Sequence, residues 1–255
     1  MEKQPSWLPV IVFTLVAGLF VYRIEYDFTV YNHGSTLEVY GEYPYPYLLH
    51  LPQGYTDFGG PRPLLIFLHG VGEVNKELSL VGTMDPAFYA RGAIARGSAS
   101  PEDFPFIAVS PVTPQHGWKP ALVVAFLDHL LADRRFRYKI DPSKIYLTGF
   151  SMGGYGTFAT AEAYPDRFAA CVPLAGGRRP GNPRALRSIP IWTFHGDEDN
   201  AESLKQTREI IQTVSELGNS DAHLTELQGY GHGICENVYS RPELYRWMLE
   251  HRIPR

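Results

Sequence analysis

A chain of 255 residues that is 44% hydrophobic and 20% charged has ordinary globular composition, which excludes a largely disordered protein. It is long for one domain and short for two, so one large core is the default. With 23 Lys and Arg against 27 Asp and Glu, the net charge of -4 carries no electrostatic footprint for nucleic acid. Two cysteines, Cys171 and Cys235, exclude a disulfide scaffold or a CxxC zinc module.

The first 30 residues read differently from the rest. No charge falls between Lys3 and Arg23, and these 19 residues would span about 28 Å as a helix at ~1.5 Å per residue, close to the hydrocarbon thickness of a bilayer. A transmembrane anchor over residues 1–30 is expected, with a cleaved signal peptide as its competitor. Residues 31–255 are then the exported domain, periplasmic or extracellular.

Beyond residue 31, short apolar runs bounded by turn signals alternate with helical stretches. The runs are Tyr43 to Leu51, Pro63 to Leu68, Phe106 to Ser110, Ile145 to Thr148, Cys171 to Ala175, Ile189 to Phe194 and His223 to Leu227. Helices are predicted at Ala121 to Arg134, Met152 to Tyr164 and Glu202 to Leu217. This alternation predicts an α/β fold, a doubly wound and mostly parallel sheet with helices on both faces. In such a sheet ligands meet the carboxyl ends of the strands.

The most informative stretch is IYLTGFSMGGYGTFATA, residues 145 to 161. A buried strand runs into Gly149-Phe150-Ser151-Met152-Gly153, a G-x-S-x-G pattern, and directly into a helix. Ser151 is thereby placed on a cramped strand-to-helix turn with its hydroxyl projecting above the sheet, as a nucleophile requires. A serine needs an imidazole to take its proton and an acid to hold that imidazole. Of the four histidines after Ser151, His251 lies in the tail, His223 opens a strand, and His195 ends a strand before a good acid can precede it. His232 remains, flanked by glycines in a loop past the last strand. The acid lies in His195-Gly196-Asp197-Glu198-Asp199, where three carboxylates stand open.

At these residues the chain resembles the α/β-hydrolase superfamily, within it the esterase and phospholipase/carboxylesterase-like group that includes dienelactone-hydrolase-like and secreted-peptidase-like members. The resemblance covers Tyr43 to Met248. The group's H-G-x-x-D pattern implies that Asp199, rather than Asp197, is the triad acid, although Asn200-Ala201-Glu202-Ser203 departs from the usual continuation. Leu64 to Glu73 resembles the group's strand followed by H-G-x-G. This implies that the backbone N–H groups of Val71 and Met152 form the oxyanion hole, with Gly72 an alternative to Val71, and that His69 is structural.

The expected activity is hydrolysis of carboxylic esters by Ser151, His232 and Asp199, without a metal or cofactor. A peptidase or thioesterase on the same residues is the alternative enzyme, and a catalytically dead membrane-tethered binding protein the alternative from another class. The partners expected are an ester substrate, small or polymeric, and the membrane through residues 1–30. The interval from Arg178 to Ser188 is too short for a cap domain, and residues 75–103 are the remaining candidate cover. Short acyl groups, acetyl to butyryl, are therefore expected. Arg178 and Arg179 read as a solvated turn, and Trp118 as an aromatic that either lines the site or closes a loop.

Overall fold

The computed structural model describes residues 36–39, 44–56, 59–177 and 180–254, all within one compact unit spanning Asn32–Arg255. The anchor expected over residues 1–30 and the turn at Arg178 and Arg179 lie outside the described residues. Among the described residues no helix is long and apolar enough to cross a membrane.

Eight strands form one sheet: β1 (Thr36–Val39), β2 (Tyr47–His50), β3 (Arg62–Leu68), β4 (Ile107–Pro111), β5 (Ile140–Phe150), β6 (Ala170–Leu174), β7 (Ile191–Gly196) and β8 (Ala222–Leu227). Their spatial order is β1-β2-β4-β3-β5-β6-β7-β8; β2 pairs antiparallel with β1 and β4, and the remaining neighbours are parallel. The central strands are continuous apolar runs because both faces are covered, and successive residues serve opposite faces. Leu65 and Phe67 of β3, Tyr146 and Phe150 of β5 and Val172 and Leu174 of β6 all join one core cluster.

That cluster is roofed by α2 (Pro86–Ala95), α6 (Cys235–Tyr239) and α7 (Pro242–Glu250), after a single turn of helix, α1 (Leu78–Val81). On the opposite face lie α3 (Pro120–Ala132) and α4 (Met152–Ala163), which touch each other, and α5 (Ala201–Glu216) beyond them, as right-handed crossovers require. The segment expected to cover the site is therefore a core element. Asp85 caps α2, accepting from Phe88 N at 2.8 Å and from Ser110 Oγ at 2.9 Å, and the helix packs on α6. Among the described residues the β6 to β7 interval holds a 3-10 turn, Pro183–Ser188, and no cap.

Where α4 meets the sheet there is no room for side chains. A Cβ on Gly153 would sit 1.7 Å from the carbonyl oxygen of Leu68 on β3. The glycines after Ser151 are thus required by the close approach of helix and sheet, which sets where the serine stands.

Two buried imidazoles couple the fold to pH. Burial, with Arg91 nearby, lowers His50 from 6.5 to about 3. Burial also lowers His69 to about 4, against the pull of its bond to Gly70. Both are neutral in the fold, so below pH 6.5 the unfolded chain takes up protons that the folded chain refuses, and stability falls as pH falls. Buried Asp85, raised to about 6, works in the opposite direction, but one group opposes two. The midpoint of urea unfolding is expected to drop between pH 7 and pH 5, and His50→Phe to flatten part of that slope.

Candidate active site

Ser151 stands between the end of β5 and the start of α4 with φ 55° and ψ −114°, a region L-residues seldom occupy. The turn is held by Ser151 N donating to Leu174 O at 2.9 Å and by Tyr155 N donating to Ser151 O at 3.0 Å. Its hydroxyl lies 2.8 Å from His232 Nε2, and His232 Nδ1 lies 2.8 Å from Asp199 Oδ2. The three residues assigned in the sequence therefore form one line of contacts, although they come from three separate connections of the sheet. An acceptor-only carboxylate fixes the proton on Nδ1 and leaves the Nε2 lone pair toward the serine.

The loop carrying His232 is tied to the loop carrying the acid. Glu198 N donates to Tyr230 O at 2.9 Å, and Gly229 N donates to Asp197 Oδ1 at 2.7 Å. Asp197 is thus a loop pin, while Asp199 faces the imidazole. The ring of Phe150 backs His232 at 4.9 Å between centroids. Two of the other histidines after Ser151 are engaged elsewhere: His251 and His223 both meet Asp221, at 2.6 Å and 3.0 Å.

Asp199 has a side chain only 6% exposed, yet its carboxyl is held below the usual carboxylate range. Burial alone would raise it. The N–H groups of His232 and Asn200 and the electrostatic pull of the two neighbouring imidazoles outweigh that effect.

His195 is the residue that the sequence reading passed over. It is fully buried, which keeps its imidazole neutral despite the nearby carboxylates of Asp199 and Glu226. Its Nδ1 lies 3.0 Å from Thr207 Oγ1 on α5, and its Nε2 lies 3.0 Å from Asp199 Oδ2, the same oxygen that meets His232. The approach is off the N–H axis and Nε2 has no linear hydrogen-bond partner, so the contact is one of dipole with charge. A lone pair facing a carboxylate at that distance would repel it, which favours the proton on Nε2 and turns the Thr207 hydroxyl from Ser203 O, which it also reaches at 3.1 Å, to donate to Nδ1. The signal was in the sequence: His195 and Asp199 are four residues apart across a turn.

The oxyanion candidates are also brought to the serine. Val71, at the head of a 3-10 turn (Val71–Glu73) that follows β3, and Met152, at the head of α4, line the same cavity as Ser151. Behind them His69 acts as a strut. Its Nδ1–H donates to Gly70 O at 2.7 Å, its Nε2 accepts from Thr113 N at 3.1 Å, and its carbonyl accepts from Trp118 Nε1 at 3.0 Å. A serine hydroxyl, an imidazole held against a carboxylate, and a helix start converge here, an arrangement that can serve acyl transfer.

Residues 123–241 match a family model described as phospholipase/carboxylesterase. A bifunctional acetylxylan esterase/xylanase of Neocallimastix patriciarum is 25% identical over 152 residues, covering 59% of this chain and 21% of the relative. Feruloyl esterase C of Emericella nidulans is 31% identical over 155 residues, covering 60% of this chain and 54% of the relative. The chain thus spans from about a fifth to about half of these curated relatives' length. Among solved structures, a thermostable esterase superposes with a TM-score of 0.68 at 24% identity, over 85% of this chain and 63% of that one. The feruloyl esterase module from Clostridium thermocellum does so with a TM-score of 0.64 at 17% identity, over 82% and 87%. These likenesses share the fold.

The His195 contact has a measurable consequence. His195→Phe keeps the ring volume and removes the dipole beside Asp199. The more negative carboxylate then holds the proton on His232 more tightly. Turnover is expected to fall on the order of tenfold, with the acid limb of the pH profile moved upward. His195→Gln, which restores an N–H, should recover both. Equal profiles for all three proteins would make His195 a packing residue.

Proposed function

We propose that the chain, which resembles esterases of the α/β-hydrolase superfamily, hydrolyses carboxylic esters through Ser151, His232 and Asp199. The observation that carries the proposal is the pair of 2.8 Å contacts joining Asp199 to His232 and His232 to Ser151. The named relatives act on differently named substrates, acetylxylan, feruloyl and poly(3-hydroxyalkanoate). What is common to them is the carboxylic ester bond, and this supports the coarser reading of the reaction.

The steps follow from the geometry. Ser151 Oγ attacks the ester carbonyl carbon while His232 Nε2 takes the hydroxyl proton. The carbonyl oxygen, now an anion, is held by the Val71 and Met152 amides. Collapse of this intermediate breaks the bond to the alcohol oxygen, to which His232 returns the proton. Water then attacks the acyl-enzyme by the same route, His232 again taking and giving one proton, and the acid is released with Ser151 restored. Asp199 stays ionised throughout and holds the imidazolium.

Ser151→Ala is expected to abolish ester hydrolysis and labelling by a fluorophosphonate while leaving thermal unfolding nearly unchanged. Asp199→Asn should cost on the order of 10⁴ in kcat, the scale seen when a triad imidazole is left in the wrong tautomer. Asp197→Asn should cost far less, and the reverse ranking would reassign the acid. Residual Ser151→Ala activity near wild type would place the nucleophile elsewhere.

We also propose that residues 1–30 tether the catalytic domain to a membrane with the domain exported, a reading supported by the 19 uncharged residues between Lys3 and Arg23. Full-length protein is expected to sediment with membranes and resist carbonate extraction. Recovery of a mature chain beginning near Leu19 would instead identify a cleaved leader.

A further inference from the structure

A cavity of about 530 Å³ opens beside Ser151 and is lined by Val71, His116, Trp118, Met152, Tyr155 and Ala159, among others. His232, Asp199 and Tyr230 do not line it. That asymmetry assigns its occupant. In the tetrahedral intermediate the central carbon carries Ser151 Oγ, the oxyanion, the leaving alcohol oxygen and the acyl substituent. The leaving oxygen must be within reach of His232 Nε2, and the oxyanion lies between the Val71 and Met152 amides. The substituent left to point away from His232 is the acyl group.

We propose that this cavity is an acyl pocket for uncharged, ring-bearing acyl groups larger than butyryl, with the alcohol of the ester lying on the open His232 side. The proposal rests on the triad reading above. Its volume falls within the ~300–1,000 Å³ typical of small-molecule sites, and an acetyl or butyryl group would leave most of it to water. Among the described residues no Asp, Glu, Lys or Arg lines it, so these residues offer a charged acyl group no ionic partner. Its polar groups are largely occupied. Met152 Sδ lies 3.2 Å from Gly117 N, and the Tyr155 hydroxyl lies 3.2 Å from Ser203 Oγ.

The wall is rigid. Trp118 is fixed by its bond to His69 O and by edge-to-face contacts with Tyr45 at 5.4 Å and with the His69 ring at 4.9 Å. It lies flush on α4 because residue 156 is glycine, where a Cβ would come within 2.6 Å of Trp118 Cβ. Trp118 is itself only 6% exposed and backs the wall, so the apolar surface offered to a planar acyl ring comes chiefly from Val71 and Tyr155, 54% and 37% exposed. The described residues of the short β6 to β7 interval, from which acetyl-to-butyryl specificity was expected, do not border this cavity, so they set no limit on the size of the acyl group.

The test uses full-length protein and p-nitrophenyl esters of acetate, butyrate, 3-phenylpropanoate and palmitate, which share a leaving group. Each kcat/KM is divided by the hydroxide-catalysed rate of the same ester. The 3-phenylpropanoyl ester is expected to exceed butyryl by about tenfold or more. Ala159→Leu, which fills the cavity from a half-exposed position on α4, is expected to lower the ratio of 3-phenylpropanoyl to acetyl by a similar factor. It should leave the relative rates of ethyl, phenyl and p-nitrophenyl butyrates unchanged. A wild-type preference for acetyl, butyryl or palmitoyl overturns the pocket assignment without touching the triad. A variant that instead reorders the alcohols makes the cavity the leaving-group site and overturns it too. Failure to hydrolyse any of the four esters would sink the esterase reading itself.

Discussion

The positive φ of Ser151 is the constraint on which the rest of the site depends. A serine at φ 55° gains nothing locally from that conformation, and such residues cost of order 1–3 kcal/mol. It persists because both sides of the turn are fixed. β5 is hydrogen-bonded between β3 and β6 up to Phe150, and α4 is pressed onto the sheet so closely that Gly153 has no room for a Cβ. The bond from Ser151 N to Leu174 O closes the turn against β6. The strain is thus offset by the most completely buried part of the core, and the hydroxyl is delivered to the carboxyl edge of the sheet without a flexible segment.

The site's electrostatics follow from the same edge. Asp199, His195 and the His232 loop are gathered where β7 and β8 end, and burial there has opposite consequences for the two kinds of group. The His195 imidazole is kept neutral, while the Asp199 carboxylate stays ionised because the N–H groups of His232 and Asn200 bond to it. A neutral buried donor beside a charged acceptor avoids the desolvation cost that a second buried cation would carry. Asp197, one turn away, accepts from the backbone of the His232 loop and so limits how far the ring can drift from the serine.

Much of this was legible in the sequence because the informative residues are local. The strand before Ser151 is a continuous apolar run, the turn residues are adjacent to it, and chain order alone left His232 as the base. Asp199 was less legible: three carboxylates share its turn, and only the resemblance to H-G-x-x-D separated them before the contact with His232 did. β1, at the sheet's edge and only four residues long, gave no periodic signal, and α6 is a five-residue helix that exists through packing on α2. The cavity was not legible. Its walls come from residues 71, 116–118 and 152–159, and only the sheet order brings these segments together.

Trp118 and the turn that carries Val71 both hang from His69, while Ser151, Met152 and the outer wall of the cavity share α4. On the proposed reading, selectivity and reactivity therefore share their supports. A change in the 116–118 loop or at the foot of α4 is felt by the reacting groups as well as by the acyl group, and the outer turn of α4, at Ala159, is where acid preference can change by itself.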